Sequence, residues 1–186
     1  YVLFHWAAVL DAAVFRTPGA LSDDFAWFLL KQFVFRAFNY TRLIGSAWRA
    51  DNHHLMERGV TCYFLGVQFP ELKRAREMEE YAREIVRRNF DYNILSDGVG
   101  SEFCTAYNYR CMVRYAMAES VARANGRDLF DRERGEKLVA WLRSFALLCA
   151  PDGRLPDTGD GAAPTLAGIA EQSGAMLGEI GRASCR

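Results

Sequence analysis

Apolar residues recur along this chain at intervals of three and four, the period of helices packed on one side, and the reading that follows is all-α. Val2 to Phe15 forms a first candidate helix, stopped by Thr17-Pro18-Gly19. Ser22 is placed as an N-cap, with Asp23 and Asp24 in the first turn of a long helix running to about Gly45. That helix is dense in aromatics (Phe25, Trp27, Phe28, Phe33, Phe35, Phe38, Tyr40), enough for part to be core and part to line a groove. Asp51 caps a helix from about Asn52 to Val67, ended by Phe69-Pro70. Pro70 is expected as the first residue of a helix to about Phe90 whose charged side reads as a solvated face. Ser101 opens another helix, closed near Ala124 by Asn125-Gly126, and Asp131 opens one to about Cys149. Residues 151–161 carry strong turn chemistry, and a weaker helix spans Leu166 to Met176. Helices of these lengths on short connections predict antiparallel pairs, as in a bundle, a solenoid or an α/α toroid. No repeat of 20–50 residues is evident, which disfavours the common helical arrays.

Composition narrows the function. The 186 residues are 51% apolar, enough for one domain with a real core. Formal charge is zero, from 23 basic and 23 acidic residues, so no basic field draws the chain to nucleic acid or to a membrane surface. No apolar run is long enough to span a bilayer. The five cysteines show no metal or CxxC spacing and read as small buried hydrophobes. Cys104 and Cys111 are expected on one helix face, too far apart for an easy bridge. The chain begins inside a hydrophobic pattern without a signal peptide, and Gly178 to Arg186 is aperiodic. Truncation at both ends is therefore expected, with a domain at 1–177 and an irregular tail at 178–186.

Candidate chemistry gathers at two places. Asn52-His53-His54-Leu55-Met56-Glu57 sets an amide, two imidazoles and a carboxylate within two turns, in a chain with three histidines. His53 and Glu57 stand at i, i+4, so Glu57 is expected to hold one ring nitrogen of His53 and select its tautomer. His54 lies about 100° round the helix and is expected to serve a different direction. Asn52, at the helix mouth, can meet an anion beside unpaired backbone N–H groups. The second place is the turn Ser96-Asp97-Gly98-Val99-Gly100-Ser101-Glu102 followed by Tyr107-Asn108-Tyr109-Arg110. A tyrosine near a helix N-terminus, with Arg110 close by, can act as base or acid; Tyr107 is the candidate and Tyr109 its competitor. A metal held by His53 and Glu57 lacks a third ligand.

Taken in order, Asn52-His53-His54 with Glu57, Phe69-Pro70-Glu71, Asp97-Gly98 with Ser101-Glu102, Tyr107-Asn108, and Leu155-Pro156 with Gly159-Asp160 resemble the helical domain of the heparinase II/III-like and alginate lyase group of polysaccharide lyases. The likeness spans roughly residues 40 to 161, with Asn108 standing where the family often has histidine. It implies an incomplete α/α toroid, followed in a full-length protein by a β-sandwich region that supplies a further catalytic His or Tyr and, in some members, a structural zinc. This chain itself would need no cofactor. The resemblance implies β-elimination at a uronic acid of an acidic polysaccharide, in the periplasm or outside the cell. Asn52, with His53 assisting, would neutralise the uronate. Tyr107 or His53 would take the C5 proton, and Tyr107 would protonate the departing O4. Trp48 and Tyr109 could stack on sugars, and Arg49 or Arg110 could pair with carboxylates; His54, Glu57 and Glu102 complete the substrate-binding candidates. The fragment alone is expected to be inactive. Two rivals remain. One is a toroid glycoside hydrolase, which needs paired carboxylates drawn from Glu57, Glu102, Asp157 and Asp160. The other is a non-catalytic helical module, in which His53 and Tyr107 would lie apart. The lyase reading expects those two on opposite walls of one trench.

Overall fold

The structure is a computed structural model that describes residues 17, 19, 21–35, 39, 53–160, 162 and 164–169. Within them lie helices α1 (Asp23–Val34), α2 (His53–Gln68), α3 (Ala75–Asn93), α4 (Thr105–Ala124) and α5 (Arg132–Leu148). Among the described residues the only β features are two isolated bridges, Ile94 with Gly100 and Arg154 with Thr165. The expected helix at 2–15, the part of the expected 166–176 helix beyond residue 169, and the tail at 178–186 fall outside the described residues, while 166–169 are helical as read.

Local chemistry sets the helix ends. Ser22 Oγ accepts from the Phe25 N–H and Asp131 accepts from the Arg134 N–H, so both N-caps act as read. At the end of α4 the Gly126 N–H donates to Arg123 O and the Arg127 N–H to Ala122 O, with Gly126 at φ 67. That is the paired closure a left-handed glycine permits. Pro70 does not open α3. The Leu72 N–H bonds Phe69 O and the Ala75 N–H bonds Leu72 O, so residues 70–74 spend their hydrogen bonds reversing the chain and α3 starts at Ala75.

Helix α2 is the centre of the fold. From Gly59 to Val67 every residue is buried. It packs antiparallel against α3, and two glycines one heptad apart set the spacing. A Cβ at Gly66 would stand 2.6 Å from the Glu79 nitrogen and 2.7 Å from the Ala75 oxygen. At Gly59 it would meet Val86 Cγ2 at 3.0 Å. Helix α4 crosses α2 and pairs with α5 around an aromatic cluster: Phe90 lies 5.0 Å edge-on from Tyr115 and 4.5 Å from Phe130, and Tyr115 lies 5.9 Å from Trp141. Helix α1 leans on this core through Leu29 and Leu30 while Phe25, Trp27, Phe28 and Phe35 stay exposed.

The solvated face expected on α3 holds for Arg76, Glu77 and Glu80 but fails at Glu79. That carboxylate is buried, and both Arg83 and Arg127 bond its Oε1. A buried carboxylate needs such partners. Cys62 and Cys111 are buried as expected, whereas Cys104 and Cys149 are half-exposed. Cys104 precedes α4 as its N-cap, so it does not share a helix face with Cys111. Among the described residues no helix is long and apolar enough to cross a membrane.

Candidate active site

The fold aims two helix N-termini at one place. His53 is the first residue of α2 and Tyr107 the third of α4. Their rings stack, with centroids 4.8 Å apart and planes 23° from parallel. The positive ends of two helix dipoles therefore meet beside an imidazole and a phenol, an arrangement that favours an anionic ligand. Both side chains are half-buried.

Glu102 joins them from a third segment. After α3 the chain turns over Asp97-Gly98: the Val99 N–H bonds Asp97 Oδ1 at 3.0 Å and Gly98 adopts φ 82. The Leu95 N–H bonds Val99 O and the Ser101 N–H bonds Asn93 O, which returns the chain toward α4. Ser101 Oγ is 3.1 Å from Asn93 Oδ1. Glu102 Oε1 then lies 2.9 Å from His53 Nδ1. A carboxylate there selects the neutral tautomer with its proton on Nδ1, which leaves Nε2 as the basic nitrogen. The partner expected for His53 was Glu57, one turn along the same helix; Glu102, 49 residues away, takes that role.

Two residues to which the sequence assigned no positioning role hold this geometry. Asn108 Nδ2 donates to Gly100 O at 3.0 Å and to Glu102 O at 2.9 Å, and its Oδ1 accepts from Trp141 Nε1. Gly100 fits only without a side chain, since a Cβ would sit 2.1 Å from Trp141 Cζ2. Thr158 Oγ1 accepts the Thr105 N–H at 3.1 Å, pairs with Thr105 Oγ1 at 2.8 Å and donates to Phe103 O at 3.0 Å. It caps α4 from 53 residues away, where Cys104 offers no side-chain cap. The sequence signal for Asn108 was its place beside Tyr107 in the polar-aromatic cluster; for Thr158 there was none.

The remaining candidates divide. His54 is exposed, yet its ring lies 4.2 Å from that of His53 rather than apart from it. Its pKa is lowered, first by desolvation and then by the neighbouring His53 and Arg58, against the pull of Glu57 and Glu102. Arg110 places its guanidinium 5.5 Å from the Tyr107 ring centroid. Tyr109 is buried and meets Phe145 edge-on at 6.0 Å, so its faces belong to the core and not to a sugar. Two residues along a helix point nearly opposite ways, which is why only one of the two tyrosines reaches the site. Asn52, Trp48 and Arg49 lie outside the described residues. The expectation of opposite walls is corrected: the rings of His53 and Tyr107 stack directly on each other. Among the described residues no three His, Cys, Asp or Glu side chains gather as a metal would need.

The profile described as heparinase II/III N-terminus matches residues 13–173. The chain belongs to that family. Its fold is that of a crystal structure of heparinase III, with TM-score 0.78 and 14% identity over 96% of this chain and 28% of that one. A second heparinase III structure gives 0.66 and 19% over 87% and 25%. The architecture is thus all-α, part of an α/α toroid, and the chain spans about a quarter of the length of these structures. No curated protein sequence matches it.

Proposed function

We propose that a longer protein carrying this chain cleaves a uronic-acid-containing polysaccharide of the heparin or heparan kind by β-elimination, outside the cytoplasm. The contact of His53 with both Glu102 and Tyr107, in a member of this family, is the observation that carries the reading.

The C5 proton of a uronate becomes labile only when the adjoining carboxylate is neutralised, because negative charge builds on it as the proton leaves. The N-termini of α2 and α4, with Asn52 and His53, are assigned that task. Tyr107, or Nε2 of His53, removes the proton, and the phenol of Tyr107 returns a proton to the departing O4. The C4–O4 bond breaks as the C4–C5 double bond forms. Since the two rings stack on one side, the reacting sugar lies over them rather than between them. Opposing groups come from elsewhere in the longer protein, and the chain by itself is inactive.

Contact between His53 and Tyr107 speaks against the scaffold rival, and the commitment of Glu102 to His53 removes one carboxylate from the hydrolase rival. Absorbance of the new double bond, followed on heparan sulfate, alginate and hyaluronan with the longer protein, tests the reading. Alkene is expected, with His53→Ala slower by at least about a hundredfold. Saturated products, or an undiminished rate in that variant, would overturn it.

A further inference from the structure

Asn93 ends α3 and is 2% exposed. Its Nδ2 donates to Asn89 O at 2.8 Å. That bond decides which way the amide points, and its oxygen is left to face the next segment. There Oδ1 accepts from Ser101 Oγ at 3.1 Å. The main-chain O of Asn93, one of the last carbonyls of the helix, accepts from the Ser101 N–H at 2.8 Å. One core residue thus grips Ser101 twice. Asn89, one turn back, is fully buried, and its Oδ1 accepts from Tyr115 OH at 2.6 Å. Burial pushes the Tyr115 phenol well above its usual range, so it stays a neutral donor.

A run of polar groups therefore crosses the aromatic core from α4 to the loop that carries Glu102. A buried polar side chain must be paired to be tolerated, and an apolar one of similar shape packs as well without that requirement. A polar path through a core points to what it holds at its end. Here the end is Ser101, the residue before Glu102. Just beyond, Glu102 O accepts from Asn108 Nδ2 at 2.9 Å. The peptide joining Ser101 to Glu102 is fastened by α3 on one side and α4 on the other. From that anchored peptide Glu102 Oε1 lies 2.9 Å from His53 Nδ1. A carboxylate on a loose backbone would spread over several positions and hold the imidazole for only part of the time.

We propose that Asn93, acting through Ser101, is a positioning residue that keeps the Glu102 carboxylate on His53. The inference rests on the lyase reading above, and neither residue touches a reacting atom. The test is made in the longer protein by following alkene formation on heparan sulfate. Asn93→Ala and Ser101→Ala should each lower kcat by about three- to tenfold, less than loss of Glu102 itself, with KM within about twofold of the wild type. Ser101→Thr, which keeps the hydroxyl, should recover most of the rate. In a Glu102→Ala background the same two changes should lower kcat by less than about a further twofold, because no carboxylate is left to place. A purely structural role gives another pattern, the same factor with or without Glu102. Unchanged kcat in both single variants, or equal losses in the two backgrounds, overturns the proposal. If Asn93→Ala fails to fold, Ser101→Ala, at a half-buried position, decides alone. If the wild type forms no alkene, the lyase reading fails on its own, and a crystal structure of Ser101→Ala in the longer protein judges the positioning. Glu102 Oε1 moved out of hydrogen-bond reach of His53 Nδ1 supports it; the contact kept at 2.9 Å overturns it.

Discussion

Replacing Thr158 by valine keeps the shape of the side chain and removes the hydroxyl that caps α4 from a distant loop. Three hydrogen bonds go: from the Thr105 N–H at 3.1 Å, with Thr105 Oγ1 at 2.8 Å, and to Phe103 O at 3.0 Å. Thr158 is exposed, so water recovers part of the loss at the Phe103 carbonyl. What water does not recover well is the cap, because Thr105 is buried. Loss of an N-cap costs about 1 kcal/mol. For a chain of this size that lowers the melting temperature by about 2–4 °C. Thermal unfolding followed by circular dichroism measures the shift, and Thr158→Ser, which keeps the oxygen, should sit near the wild type. Since Tyr107 occupies the first turn of α4, the valine variant of the longer protein should also turn over more slowly. A valine variant that melts with the wild type, or a serine variant as unstable as valine, would refute the role of the hydroxyl.

Other outcomes follow from the same geometry. Gly66→Ala should destabilise by about 1–3 kcal/mol in urea unfolding, and more than Gly59→Ala, because the new methyl at 66 meets backbone of α3 and that at 59 meets side chains that can give. Glu102→Ala should lower kcat by about tenfold or more through loss of the His53 tautomer, with Glu102→Gln in between; equal rates for all three would remove Glu102 from the site. The Asp131 carboxyl is held below its usual range, chiefly by the Arg134 N–H. A depressed folded pKa adds stability that is complete above the unfolded value of about 4 and is lost as pH falls through the folded one. Asp131→Asn should therefore flatten the acid limb of stability against pH, and an unaltered limb would count against the cap.

Two helices, α1 and α5, begin on the signals read for them, whereas Ser101, read as opening α4, lies four residues before its start at Thr105. Ser22 and Asp131 cap as read, and Gly126 closes α4 as read. Pro70 misled because a residue suited to a helix start also suits the reversal between α2 and α3. At the site, His53 was recognisable by its place at a helix mouth, but its partner was not. The i, i+4 rule can only propose Glu57, whereas the Asp97-Gly98 turn brings Glu102 back to the imidazole. Tyr107 and Tyr109 were separable only once the packing of Phe145 showed which side of α4 faces the core. Thr158 acts across 53 residues and leaves no local trace.

The central claim is that the phenol stacked on His53 transfers the proton. Comparing initial rates of alkene formation by Tyr107→Phe and Tyr109→Phe in the longer protein tests it most directly. Tyr107→Phe should lose at least about a hundredfold while Tyr109→Phe stays within a few-fold of the wild type. A Tyr107→Phe enzyme as fast as the wild type would contradict it.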